Sequence, residues 1–165
     1  MKTQLIFLAL LMAMISNRIQ AQNIPSDLNQ SELLKQFVGK FQAEVAPDTL
    51  QIFDGKLFGT SIVCTSKFLT KGKTFMESKA IMGYDKNLKT IIDAEVANTS
   101  DVELYAAWFT SENKCVFTRY NDKVNLDIAA VKIVFEFTNA NTAIQTIYVD
   151  NKPVKVNKWA PVIEK

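Results

Sequence analysis

The chain has 165 residues, of which 48% are hydrophobic and 22% charged, and its 19 basic residues nearly balance its 17 acidic ones. This composition is typical of one folded domain with a sizeable core, and it argues against a disordered chain or a nucleic-acid surface. The sequence has no histidine, which excludes Ser-His-Asp and Cys-His catalysis. Without another catalytic constellation, we do not expect an enzyme.

Residues 1–21 have the pattern of a secretory signal peptide. Lys2 supplies a positive charge, and the eleven apolar residues Leu5–Ile15 are too few to cross a bilayer. We expect cleavage between Ala21 and Gln22, which would leave no integral membrane segment and a secreted or periplasmic protein. An uncleaved N-terminal anchor is the alternative.

The mature chain is predicted to start with a polar, flexible lead-in over residues 22–30, followed by one domain over residues 31–165. Ser31 is predicted to cap a short helix, Glu32–Phe37, which ends before Gly39. A short amphipathic helix in front of an all-strand domain usually covers one end of it.

From Lys40 onward, short alternating runs are separated by polar turns, which is the period-2 pattern of antiparallel strands. Asp54-Gly55 is a strong hairpin signal, and Gly83–Asn87 forms a break between two alternating runs. Residues 123–138 could form one bent strand or two. Eight to ten strands are predicted among the alternating or short apolar segments Lys40–Val45, Thr49–Phe53, Lys56–Phe58, Thr60–Leu69, Thr74–Met82, Thr90–Val96, Val102–Phe109, Cys115–Tyr120, Lys123–Ala130, Val131–Thr138, Thr142–Val149 and Val154–Trp159.

These strands predict an all-β fold, an eight- to ten-stranded antiparallel meander barrel with a short N-terminal helix. Neighbouring strands joined by short turns pair antiparallel, and closure of the sheet removes its exposed edges. A two-sheet sandwich is the second choice.

The segment Leu33–Phe41 (LLKQFVGKF) resembles the start of the lipocalin-like, or calycin, proteins, in which a short helix leads into a Gly-x-Trp motif. Gly39 and Phe41 occupy the motif positions, with Phe in place of Trp. In such folds a basic side chain of the last strand lies across this aromatic ring, and Lys158 is the candidate here.

The turn Gly83-Tyr84-Asp85 resembles the GYD turn of a group of uncharacterised secreted bacterial proteins. The two resemblances together would cover Leu33–Val162. They imply a lipocalin-like barrel and an apolar ligand, and they transfer no catalytic residue.

Four residues are the candidate ligand contacts: Met76, Trp108, Arg119 and Phe135. Aromatic and Met side chains on strands could line a pocket, although they are more often plain core. If Arg119 points inward, its guanidinium would anchor a ligand carboxylate, and the alternative is a rim arginine paired with an acid.

Two carboxylates, Glu77 and Glu136, are candidates for acids inside the barrel. We expect both on the outer face, beside Lys79 and Lys132, because charged residues are seldom buried unpaired.

Cys64 and Cys115 could form one disulfide, which would close a loop of about 50 residues and contribute roughly 4 kcal/mol in the chain-entropy model. Two buried thiols on separate strands are the alternative. With two cysteines and no histidine, we expect neither a zinc site nor another cofactor.

The sequence therefore predicts a secreted or periplasmic barrel that binds a small apolar or amphipathic molecule in its interior. The alternative is a protein-interaction or envelope-associated structural module with a packed, ligand-free barrel. A cavity would favour the first function, and a filled interior with an exposed apolar patch would favour the second.

Overall fold

The computed structural model describes residues 27–99, 101–123, 129–139 and 142–163, which form an all-β fold. Within these residues ten antiparallel strands make a closed barrel, in which successive strands pair and β1 closes the ring against β10. The strands β1 to β10 are Gly39–Ala46, Thr49–Phe58, Ser61–Thr70, Lys73–Asp85, Thr90–Ala97, Val102–Ser111, Lys114–Arg119, Val131–Asn139, Thr142–Val149 and Lys152–Pro161. The predicted antiparallel meander barrel is confirmed. The signal peptide, its cleavage site at Ala21 and Gln22, and residues 22–26 of the lead-in lie outside the described residues.

A short helix, α1 (Gln30–Leu34), and a 3-10 turn, Lys35–Phe37, precede the barrel, which confirms the predicted N-terminal helix. The helix is capped by Asn29, whose Oδ1 accepts a hydrogen bond from the Glu32 N–H at 3.2 Å. The predicted cap at Ser31 was wrong, because the helix begins earlier and includes that residue.

Gln30 ties the helix to the barrel wall. Its side-chain amide donates to the Phe109 carbonyl at 3.0 Å and accepts from the Phe109 N–H at 2.7 Å. Ile91 pairs with Ala107, so Phe109 lies beyond the start of β5 and has no strand partner on that side. The buried amide of Gln30 supplies the two hydrogen bonds that a neighbouring strand would otherwise make.

Phe37 fills the helix-covered end of the barrel. Its ring is edge-on to four inward-facing phenylalanines, with centroid distances of 5.0 Å to Phe137, 5.3 Å to Phe135, 5.7 Å to Phe117 and 6.3 Å to Phe109. Edge-to-face pairs of this kind add to the stabilisation from burial. The 3-10 turn therefore contributes the central side chain of the core at this end.

Gly55 lies within the continuous strand β2, so the predicted hairpin at Asp54-Gly55 was wrong. A Cβ at this position would lie 2.2 Å from the Phe37 carbonyl oxygen. The glycine is therefore explained by the close approach of the 3-10 turn to the strand, which the local sequence does not reveal.

Replacing Gly55 with Ala is expected to lower the free energy of unfolding by about 1–3 kcal/mol, as overpacking usually does. Gly83→Ala is the matched control, because its added Cβ would meet only the Ser61 hydroxyl, at 2.9 Å. Urea denaturation of both variants would measure the difference. Equal stability of the two variants would contradict this account of Gly55.

Two further boundaries differ from the prediction. The segment Gly83-Tyr84-Asp85 is not a turn but the end of β4, where it pairs with the start of β5. After β7 the chain forms a 3-10 turn, Tyr120–Asp122. The predicted strand Lys123–Ala130 falls mostly on residues 124–128, which lie outside the described residues, and β8 begins at Val131.

Candidate functional site

The barrel encloses a cavity of about 320 Å³. It extends from Phe37, at the helix-covered end, toward the opposite end, where Val45, Glu95 and Lys155 contribute to its lining. This second end is called the mouth, and it is formed by the ends of β1, β3, β5, β7 and β9 and the starts of the other strands. Strand alternation places one side chain in every two on the inner face, so each strand contributes to the lining.

One side of the cavity is aromatic. Phe41, Phe53, Phe135, Phe137 and Trp159 line it on β1, β2, β8 and β10. This wall also carries a small polar group of side chains on β9 and β10. Gln145 accepts hydrogen bonds at its Oε1 from Asn157 Nδ2 at 2.7 Å and from Trp159 Nε1 at 3.3 Å. The wall can therefore bury an apolar body while its polar groups remain satisfied.

The opposite wall is acidic, which the sequence analysis did not anticipate. Asp93 and Glu95 both line the cavity from the inner face of β5. Ile92, Ala94 and Val96, the more apolar residues of this strand, alternate with these two acids. The strand pairing nevertheless places Asp93 opposite Met82 and Tyr105, whose side chains point inward.

Asp93 has an unusual environment. Its Oδ1 is shielded from solvent and has no hydrogen-bond partner among the described residues. Burial, and secondarily the neighbouring Glu95 carboxylate, raises the pKa of Asp93 from 3.8 to about 7. Both effects disfavour the ionised form, so the proton stays on Asp93 at pH values where an ordinary aspartate has lost it.

A side pocket of about 50 Å³ adjoins the acidic wall. Its polar lining consists of Asp93, Glu95, Ser66 and Ser78 together with the Cys64 thiol. Ser66 pairs with Ser78 across β3 and β4, so both side chains lie on the same inner face. The pocket has the size of one or two water molecules, at roughly 30 Å³ each.

Of the four candidate ligand contacts, Phe135 lines the cavity. Met76 pairs with the inward-facing Phe68 near the mouth and does not line the cavity. Arg119 also lies at the mouth. Its side chain is 62% exposed and its Nη2 is 3.9 Å from Glu103 Oε1. Of the two interpretations, Arg119 therefore fits the rim arginine paired with an acid and not the buried anchor for a carboxylate.

The placement of Trp108 is a correction. Tyr105, which lines the cavity, and Phe109 lie on the inner face of β6, so Trp108 points outward by strand alternation. It is only 2% exposed because it packs in an outer cluster with Ala106 and Val116, against which Tyr120 and Val134 also pack. A buried tryptophan therefore does not mark the barrel interior here.

Cys64 and Cys115 are both free and buried, so the disulfide considered above is not formed. They lie on β3 and β7, four strand positions apart in the barrel. Facing walls lie about 10 Å apart, beyond the roughly 7 Å between Cα atoms that a disulfide can bridge. Burial and the Asp93 carboxylate raise the pKa of the Cys64 thiol to about 12, and burial raises that of Cys115 well above its usual value. Both thiols are therefore poor nucleophiles.

The surroundings of Phe41 differ from those that the lipocalin-like resemblance implied. A Cβ at Gly39 would lie 3.1 Å from the Phe41 ring, so this ring lies over the glycine. Lys158 does not cover Phe41, contrary to expectation. It is exposed and alternates with Asn157 and Trp159, which line the cavity, and so it points outward.

The outer face carries the two carboxylates that the sequence analysis placed there. Glu77 pairs with Lys67 at 3.7 Å and Glu136 pairs with Lys114 at 2.9 Å. Exposed pairs of this kind contribute little to stability. The interior acids Asp93 and Glu95 were missed because the sequence pattern fixes which residues share a face but not which face is inside.

Among residues 27–99, 101–123, 129–139 and 142–163, no three or more Cys, Asp or Glu side chains are grouped in a way that could hold a metal ion. In the same ranges, no helix is long and apolar enough to cross a membrane.

The fold and the site together define a closed ten-stranded antiparallel β-barrel with an interior cavity, aromatic on one wall and acidic on the other. This architecture is compatible with a lipocalin-like barrel. The sequence matches no known protein-family model, and no curated protein matches it.

Proposed function

We propose that this protein is a lipocalin-like binding protein that holds a small apolar or amphipathic molecule inside its barrel. The observation that carries the proposal is the cavity of about 320 Å³ with its aromatic wall. This volume lies at the lower end of the roughly 300–1,000 Å³ typical of small-molecule sites. A secreted or periplasmic location remains a prediction that rests on residues 1–21.

A substitution within the cavity tests this function. Ile147 lines the cavity on β9, and Thr146 next to it lies on the outer face. Ile147→Trp should fill the cavity and weaken binding of the neutral apolar dye N-phenyl-1-naphthylamine by about tenfold or more, whereas Thr146→Trp should leave it unchanged. Fluorescence titration of the mature chain and both variants measures the effect. Absence of dye binding to the unmodified protein, or equal binding by both variants, would contradict the proposal.

A protein-interaction module is the second candidate. The outer faces of strands β3 to β6 expose apolar side chains that are aligned across the strands: Val63 pairs with Ile81, Ala94 with Leu104, and Val96 with Val102. Contiguous exposed apolar surface often marks an interaction site. We rank this function second because we expected it for a barrel with a packed interior, whereas this barrel contains a cavity. If this protein binds no dye, the protein-interaction function becomes the preferred one.

A further inference from the structure

The acidic wall narrows the class of ligand, and this inference rests on the function proposed above. Asp93 and Glu95 are two residues apart on the inner face of β5, and among the described residues neither forms an ion pair. Two neighbouring carboxylates without a cation repel one another and favour a positively charged or hydrogen-bond-donating partner.

Among the described residues, no hydrogen-bond donor reaches the Oδ1 atom of Asp93. A buried acceptor without a partner costs on the order of 1–3 kcal/mol, and more when it is charged. The Oδ1 atom of Asp93 is such an acceptor, in a side chain that lines both the main cavity and the side pocket. A donor brought by a ligand would remove this cost.

The side pocket sets the size and the hydrogen-bonding pattern of that donor. At about 50 Å³ it can hold a primary ammonium group, which donates three hydrogen bonds. The acceptors around it are the carboxylates of Asp93 and Glu95 and the hydroxyls of Ser66 and Ser78. The main cavity, with its aromatic wall, adjoins this pocket and offers space for an apolar body.

Other charged groups near the acidic wall do not neutralise it. Glu103 lies opposite Glu95 on β6 and adds negative charge near the mouth, where it pairs with Arg119. Lys155 also lines the cavity, but β10 is five strand positions from β5 in either direction around the barrel. Lys155 is therefore on the opposite wall, and the acidic wall stays available to a ligand cation.

We propose that the barrel binds a small amphipathic primary amine, with its ammonium group held by Asp93 and Glu95 and its apolar body against the aromatic wall. The source of the specificity is the two unpaired carboxylates beside a pocket of ammonium size. A ligand carboxylate, which the position of Arg119 had suggested, would instead meet like charges at this wall.

Three probes with the same apolar body test the inference: 3-phenylpropylamine, 3-phenylpropan-1-ol and 3-phenylpropanoate. Calorimetric titration of the mature chain at pH 8 should show the amine binding at least about tenfold more tightly than the alcohol, since a charge-assisted hydrogen bond exceeds a neutral one by about this much. The carboxylate should bind most weakly.

Two variants locate the effect. Asp93→Asn keeps the side-chain shape but removes the charge, and it should reduce the preference for the amine over the alcohol to about threefold or less. Glu77→Gln, on the outer face, should leave the preference unchanged.

The outcomes separate the inference from the proposed function. Equal affinity for amine and alcohol, tighter binding of the carboxylate, or an amine preference that survives Asp93→Asn would overturn the inference and leave the binding function standing. The inference also fails if the dye enters the barrel and none of the three probes binds. If neither the dye nor any probe binds, the proposed function fails together with it.

Discussion

Phe37→Ala is expected to lower the free energy of unfolding by about 3–5 kcal/mol, the usual cost of removing a buried aromatic ring from a core. The loss should fall in this range because the ring contacts four phenylalanines on three strands and is 7% exposed. The substitution also removes one of the two buried apolar side chains, the other being Leu34, by which the N-terminal helical segment packs into the core. Urea denaturation followed by tryptophan fluorescence and by circular dichroism measures the change.

The matched control is Phe58→Ala. Phe58 lies at the end of β2 and is 72% exposed, so its removal should change the free energy of unfolding by no more than about 0.5 kcal/mol. A loss of less than 1 kcal/mol for Phe37→Ala would show that the helix-covered end is not part of the cooperative core. It would also weaken the explanation given for Gly55, which depends on the position of the same turn.

The second large effect is a loss of stability as the pH rises, caused by Asp93. Its pKa is raised from 3.8 to about 7 by burial and by Glu95, so the folded protein holds a proton that the unfolded chain has released. The stability that the folded protein gains by keeping Asp93 protonated is fully present below about pH 4 and is lost as the pH rises through about 7. At about 1.4 kcal/mol per pKa unit, the loss amounts to about 4 kcal/mol.

Asp93→Asn isolates this contribution, because asparagine stays neutral at every pH of interest. When the pH is raised from 5 to 8, we expect the free energy of unfolding of the variant to increase by at least about 2 kcal/mol relative to that of the unmodified protein. Urea denaturation of both proteins at pH 5 and pH 8 measures this change. The contributions of the other titrating groups are common to both proteins and cancel in the comparison. Parallel pH profiles would contradict the environment assigned to Asp93.

The groups that surround this carboxyl decide where the transition falls. Glu95 on the same strand is the charge that most raises the pKa of Asp93 after burial itself. Tyr105 is paired with Asp93 on β6 and donates its hydroxyl to Glu103, and burial raises its pKa above the ordinary value. Other ionisable side chains on the inner face of the described strands include Cys64, Cys115 and Glu103, with Arg119 at the mouth and Lys155 on the opposite wall.

The sequence by itself determined most of the strands and their succession. Alternation from Lys40 to Trp159 and the polar turns are local properties, and short turns between strands require antiparallel neighbours. The antiparallel meander and the helix before it follow from these features, and the structure shows that the meander has ten strands and closes. Cys64 and Cys115 are buried free thiols on separate strands, which is one of the two alternatives that the sequence left open.

The tertiary structure alone decided what lies inside the barrel. Side chains alternate between two faces, so a strand such as β5 can present either Ile92 and Ala94 or Asp93 and Glu95 to the interior, and the pairing with its neighbours makes the choice. Trp108 is buried on the outer face by an outer cluster, and Gly55 is required by a carbonyl from a distant turn. Each of these outcomes depends on contacts between segments far apart in the chain, which no local pattern contains.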